Sequence, residues 1–135
     1  MNIKNVSINT LKWLIAIFYI SALSVQFLVL LKVIPYYWVN GGKSASYESQ
    51  LVQSLISIVI IFILYIFVWK LLYQKGLIKK WKLRALYVIT FFWLLGFLMQ
   101  LAGTEFERYF LSLFLLLGVV SHGMLVLRAR SIVSL

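Results

Sequence analysis

Apolar positions in this chain do not alternate with polar ones. They run on. Four long apolar stretches stand out, about residues 13–34, 51–72, 85–102 and 110–127, each bounded by polar or charged residues. Crossing a bilayer takes about 20 apolar residues as a helix. Continuous runs of this kind are not the alternating pattern of a membrane barrel, and an isolated strand in lipid leaves its backbone groups unpaired. The pattern therefore predicts an all-α fold: an integral membrane four-helix bundle forming a single domain over residues 1–135, with N-in/C-in topology.

Orientation follows from the bases between the runs. Lys4, Lys12, Lys70, Lys75, Lys79, Lys80, Lys82, Arg84, Arg128 and Arg130 fall on one side, and only Lys32, Lys43 and Arg108 on the other. The positive-inside rule places the larger group in the cytoplasm. All three acids, Glu48, Glu105 and Glu107, fall on the opposite, outer face. The expected location is a cell membrane, the bacterial cytoplasmic membrane in particular. Ala22-Leu23-Ser24 loosely resembles a signal-peptide cleavage site, but the apolar run continues to Leu31, which reads as an anchor.

Composition agrees. The chain is 64% hydrophobic, against roughly 45–50% for soluble domains. Its net charge of +10 would suggest nucleic acid in a soluble protein, but the bases are interspersed between spans and form no stripe with aromatic platforms. No nucleic acid partner is expected. Cysteine is absent, which removes thiol chemistry and thiolate metal sites. No cofactor and no metal is expected.

Polar residues inside the spans need reasons, because lipid cannot solvate them. Gln50, Gln53, Ser54 and Ser57 share one face of the second span. Gly96, Gln100 and Gly103 share a face of the third, and Gln26 shares one with Tyr19 and Ala22 on the first. From the helical rise, Gln26 and Gln100 lie roughly 12 and 3 Å below the outer ends of their helices. Two readings stay open: hydrogen-bonding glue between helices, or a polar cavity open to the outside. His122 stands alone, deeper and towards the cytoplasm; it suits a packing histidine, with a proton role as the alternative.

The outer connections carry the remaining chemistry. Asn40-Gly41-Gly42 predicts a turn, with amides that could face an anion. Ser46 or Ser49 can cap the second helix, with Glu48 in its first turn. Thr104 and Glu107 have capping-box spacing at the start of the fourth. Lys43, Glu48, Glu105 and Arg108 supply two acids and two bases, and Arg108 is expected to pair with Glu48 or Glu105. The candidate outer-face cluster is Lys43, Glu48, Glu105, Glu107, Arg108, Gln26, Gln53 and Gln100.

Gly41, Gly42, Lys43, Glu48, Thr104, Glu107 and Arg108 also carry a resemblance. The chain resembles a group of small, uncharacterised bacterial four-helix membrane proteins, in which a Gly-Gly-basic turn follows the first helix and a Thr-x-x-Glu-basic segment opens the fourth. The resemblance implies topology and no mechanism. Here Gly96 and Gln100 stand where that group has an Asn-rich segment.

No motif assigns a reaction, so no catalytic residue is named. The expected role is a bundle that binds a lipid or other amphiphile, or an accessory membrane subunit, with a polar site on the outer face. Partners would be membrane lipids, a second copy or another membrane protein. The alternatives are a small transporter or channel, and a membrane enzyme using the outer glutamates. The first lacks a mid-membrane carboxylate, and for the second nothing shows that two carboxylates meet.

Overall fold

A computed structural model describes residues 7–132. Lys4, counted above among the bases, lies outside them. The described residues form four long helices: α1 Ile8–Leu30, α2 Tyr47–Leu72, α3 Lys80–Leu101 and α4 Glu107–Arg130. All four are long and apolar enough to cross a membrane. The protein is an all-α four-helix membrane bundle.

Local chemistry starts and stops each helix. The Ser7 hydroxyl accepts the Thr10 N–H and begins α1. The expected first span ran on to Ile34, but α1 stops at Leu30. Lys32 there adopts φ 59°, its N–H donates to the Val29 carbonyl, and the Val33 N–H donates to the Leu28 carbonyl. That is a Schellman closure with lysine in the left-handed position usually taken by glycine. Hydropathy overran the end because residues 31–34 are mostly apolar while the backbone has already turned. Ser46 caps α2 in a capping box with Ser49, and Glu48 sits in the first turn, as expected. The first turn of α4, Glu107–Leu111, is a wide π turn in which Glu107 and Leu111 are both buried.

Around the bundle, α1 packs on α2 and α4, and α4 packs on α3. No comparable seam joins α2 to α3. These two touch beside their short connection, where the Phe67 and Trp81 rings lie 6.1 Å apart. The core draws on all four helices, and its aromatic centre sits where α1, α3 and α4 converge. Phe18 meets Trp93 edge-on at 4.9 Å and His122 at 5.6 Å. Gly118 lets this happen, since a Cβ there would stand 2.5 Å from the Phe18 ring. Close approach through a small residue is the usual means of joining helices where lipid supplies no hydrophobic drive. His122 is fully buried and ties α4 to α1: its Nδ1–H donates to the Gly118 carbonyl at 2.7 Å, and its Nε2 accepts from the Tyr19 hydroxyl at 3.0 Å. The carbonyl can only accept, which assigns the tautomer of the neutral ring. Both nitrogens of the lone histidine thus have partners inside the bundle.

Candidate functional site

One end of the bundle carries residues 31–46 and 102–106. Two polar systems are built there, on either side of the Asn40-Gly41-Gly42 turn.

The turn runs through three successive left-handed residues, with φ of 55°, 66° and 68°. Glycine makes the second and third affordable, and asparagine tolerates the first. The turn's amide does face an anion, but an internal one. The Gly41 N–H points at the Glu107 carboxylate, 2.9 and 3.1 Å from its two oxygens. The same carboxylate accepts the Thr104 N–H at 2.8 Å, and the Thr104 hydroxyl accepts the Glu107 N–H at 3.3 Å. This is the expected capping box, with its carboxylate also gripping the first connection. The Thr104 hydroxyl donates to the Trp38 carbonyl as well. Glu107 is 2% exposed, so these N–H groups take the place of its water.

On the other side of the turn, the Asn40 amide donates to Gln50 at 2.8 Å and to Gln53 at 2.6 Å. Gln50 also accepts from the Ser44 hydroxyl at 2.6 Å and donates to Ser54 at 3.1 Å. The polar stripe of α2 thus divides. Gln50 and Ser54 are buried, Ser57 is half-buried, and Gln53 is exposed, held only by Asn40.

The expected ion pairs do not form. Arg108 donates through Nε to the Leu101 carbonyl at 3.1 Å and through Nη2 to the Gly103 carbonyl at 3.4 Å. It caps the C-terminal end of α3, whose last carbonyls have no helical partner and carry partial negative charge. That competes better than an exposed ion pair, worth roughly 0–1 kcal/mol. Glu48 is exposed in the first turn of α2, with Lys32 the base acting on it. The Lys32 ammonium stands over the Tyr47 ring at 4.3 Å. Glu105 and Lys43 are exposed. The candidate cluster therefore separates: Glu107 is a structural clamp, Arg108 a helix cap, and Lys43, Glu48 and Glu105 surround the site without entering it.

Beneath the turn lies a cavity of about 240 Å³. Gln26 from α1, Gln100 from α3 and Asn40 line its polar part, so two of the three predicted glutamines converge. Ser21 and Ser57 add hydroxyls, and Phe18, Trp93, Phe114 and Leu115 are among its apolar walls. Two wall residues carry unsatisfied buried atoms, Gln100 Oε1 and Trp93 Nε1. The Trp93 N–H stands beside the Tyr19 hydroxyl without meeting it at hydrogen-bond geometry. Most buried polar groups have partners, so two orphans on one cavity are a chemical demand. Sequence reasoning missed Trp93 and Asn40 as site residues. The available signal was an indole N–H at mid-span, where no water serves it.

Among the described residues, no group of three His, Asp or Glu side chains stands close enough to hold a metal ion. Comparison of the chain with known protein families, curated proteins and solved structures finds no match.

Proposed function

We propose that this protein binds a membrane-derived amphiphile in the cavity among its four helices, with the Asn40-Gly41-Gly42 turn as a fixed roof. The observation that carries this reading is the pairing of an apolar-walled cavity with two unsatisfied buried polar atoms, Trp93 Nε1 and Gln100 Oε1. Mostly apolar walls with a few placed polar groups are what a small-ligand site requires. The roof supports it too. Glu107 fastens the turn to α4 while Asn40 fastens it to α2, so the polar end of the cavity is preorganised before anything enters. The outer-glutamate enzyme reading loses Glu107 as a free acid or base, because that carboxylate already has its donors.

The bases favour the roof facing outward. The eight bases of residues 70–84 and 128–130 that flank the opposite end, with Lys12, sit where anionic lipids and the membrane potential attract them. The location that fits is a bacterial cytoplasmic membrane, with both termini inside.

The test is native mass spectrometry of the protein extracted directly into nanodiscs. One small amphiphile per chain is expected, and Ser57→Trp, which fills the cavity from α2, should strip it. A chain that carries no small molecule but holds a stoichiometric protein partner would replace this reading with the accessory-subunit one.

A further inference from the structure

We infer that the occupant is an uncharged glyceride-like amphiphile, with a hydroxyl donor at the roof end and a carbonyl acceptor deeper, and that it enters sideways from the bilayer between α2 and α3. This rests on the reading of the cavity as an amphiphile site and adds head chemistry and route.

The absence of charge in the wall comes first. The lining residues are aliphatic, aromatic, Ser, Asn, Gln and Gly; no Lys, Arg, His, Asp or Glu is among them. A phosphate, carboxylate or ammonium brought here would lose its water and gain no opposite charge, which is the costliest form of burial. The carboxylate that holds the roof, Glu107, is turned to the Gly41 and Thr104 amides.

The two orphan atoms then set polarity. Trp93 Nε1–H can only donate, so it needs an acceptor. Gln100 Oε1 can only accept, so it needs a donor. Between these residues α3 rises about 10 Å, with Gln100 nearer the roof and both on one face. A lone hydroxyl cannot serve both. A hydroxyl head followed by an ester carbonyl matches the order, donor above and acceptor below. A quinone or a plain ester lacks the donor.

Route follows from packing. α2 and α3 are the neighbours without a seam, and both contribute wall residues: Ser57, Ile60 and Ile61 from α2, Phe92, Trp93, Gly96 and Gln100 from α3. Ile60 and Phe92 line the cavity and yet are 42% and 51% exposed, so they stand at a mouth that opens sideways within the span. Whole drug-sized ligands need roughly 300–1,000 Å³. This cavity takes a head and a short stretch of chain, and the rest leaves through that mouth into lipid.

The experiment uses the full chain in phosphatidylcholine nanodiscs with a diazirine-bearing monoacylglycerol as photoprobe. Labelling is expected in α2 and α3 around Ile60 and Phe92. Unlabelled monoacylglycerol should compete at least about tenfold better than lysophosphatidylglycerol, fatty acid or fatty acid methyl ester of the same chain. Gln100→Leu, which keeps bulk and removes the acceptor, and Trp93→Phe, which removes the donor with part of the ring, should each weaken competition about tenfold. Ile60→Trp, which narrows the mouth, should slow labelling. Equal competition by the charged lipid overturns the neutral head and leaves amphiphile binding standing. Equal competition by the methyl ester overturns the hydroxyl. Unchanged binding in Trp93→Phe gives that N–H to Tyr19 and overturns the carbonyl contact. Unchanged labelling rate in Ile60→Trp overturns lateral entry. No labelling in a chain that retains its helicity and unfolding transition overturns the proposed function itself.

Discussion

Glu107 and Gly41 lie 66 residues apart, and one carboxylate joins them: both Glu107 oxygens accept from the Gly41 amide, at 2.9 and 3.1 Å. A capping-box residue at the head of α4 therefore also sets the shape of the connection between α1 and α2.

Removing that carboxylate should loosen the roof. Glu107→Ala leaves the Gly41 and Thr104 amides without their acceptor, at about 1–3 kcal/mol for each that stays buried. Glu107→Gln keeps one acceptor oxygen and should cost less. Glu105→Gln, at an exposed position, should cost nothing measurable. Thermal unfolding in one detergent would rank the three. Equal losses from Glu105→Gln and Glu107→Ala would show that the clamp carries no stability.

Gly103 offers an orthogonal check on the same carboxylate. A Cβ at Gly103 would lie 2.2 Å from Glu107 Oε2, whereas one at Gly123 would meet nothing within 4 Å. Gly103→Ala should destabilise the protein by about 1–3 kcal/mol, since it forces the acceptor off its donors. Gly123→Ala should be neutral or slightly stabilising, because alanine is the better helix former. The readout is the pair of unfolding midpoints, and a reversed order would refute the crowding argument.

Across the mid-bundle, Tyr19 and His122 form the side-chain bond between α1 and α4. Tyr19→Phe keeps the ring and removes the donor. The expected loss is about 0.6–2 kcal/mol, the range for interhelical bonds in membranes. In a double-mutant cycle with His122→Leu, the second change should cost less once the first has been made. Additive losses would mean that the bond contributes nothing beyond packing.

Topology can be read directly because the chain has no cysteine of its own. Cysteines placed at exposed Lys43 and Lys75 should label from opposite sides of the membrane, Lys43→Cys from outside. An impermeant maleimide on intact cells distinguishes them. Labelling of Lys75→Cys alone would invert the orientation.

The sequence by itself determined the features that depend on one segment at a time. Four spans follow from length and apolarity, since lipid accepts nothing else. The Ser46 cap and the Thr104–Glu107 box follow from spacings of three residues within one turn. The Asn-Gly-Gly turn follows from φ preferences. What needed the tertiary structure was every choice between distant partners. Arg108 had acids and helix-end carbonyls within its reach, and only geometry chose the carbonyls of Leu101 and Gly103. Gln100 and Gln53 look alike in sequence, yet one faces the cavity and the other the surface. Trp93 reads as one more aromatic until its N–H is seen to lack an acceptor. The physical reason is the solvent. In water, a helix shows its buried face by contrast between apolar and polar positions. In lipid the core and the surroundings are equally apolar, so the contrast disappears and helix rotation is set by close packing and a few hydrogen bonds, which exist only once the helices have met.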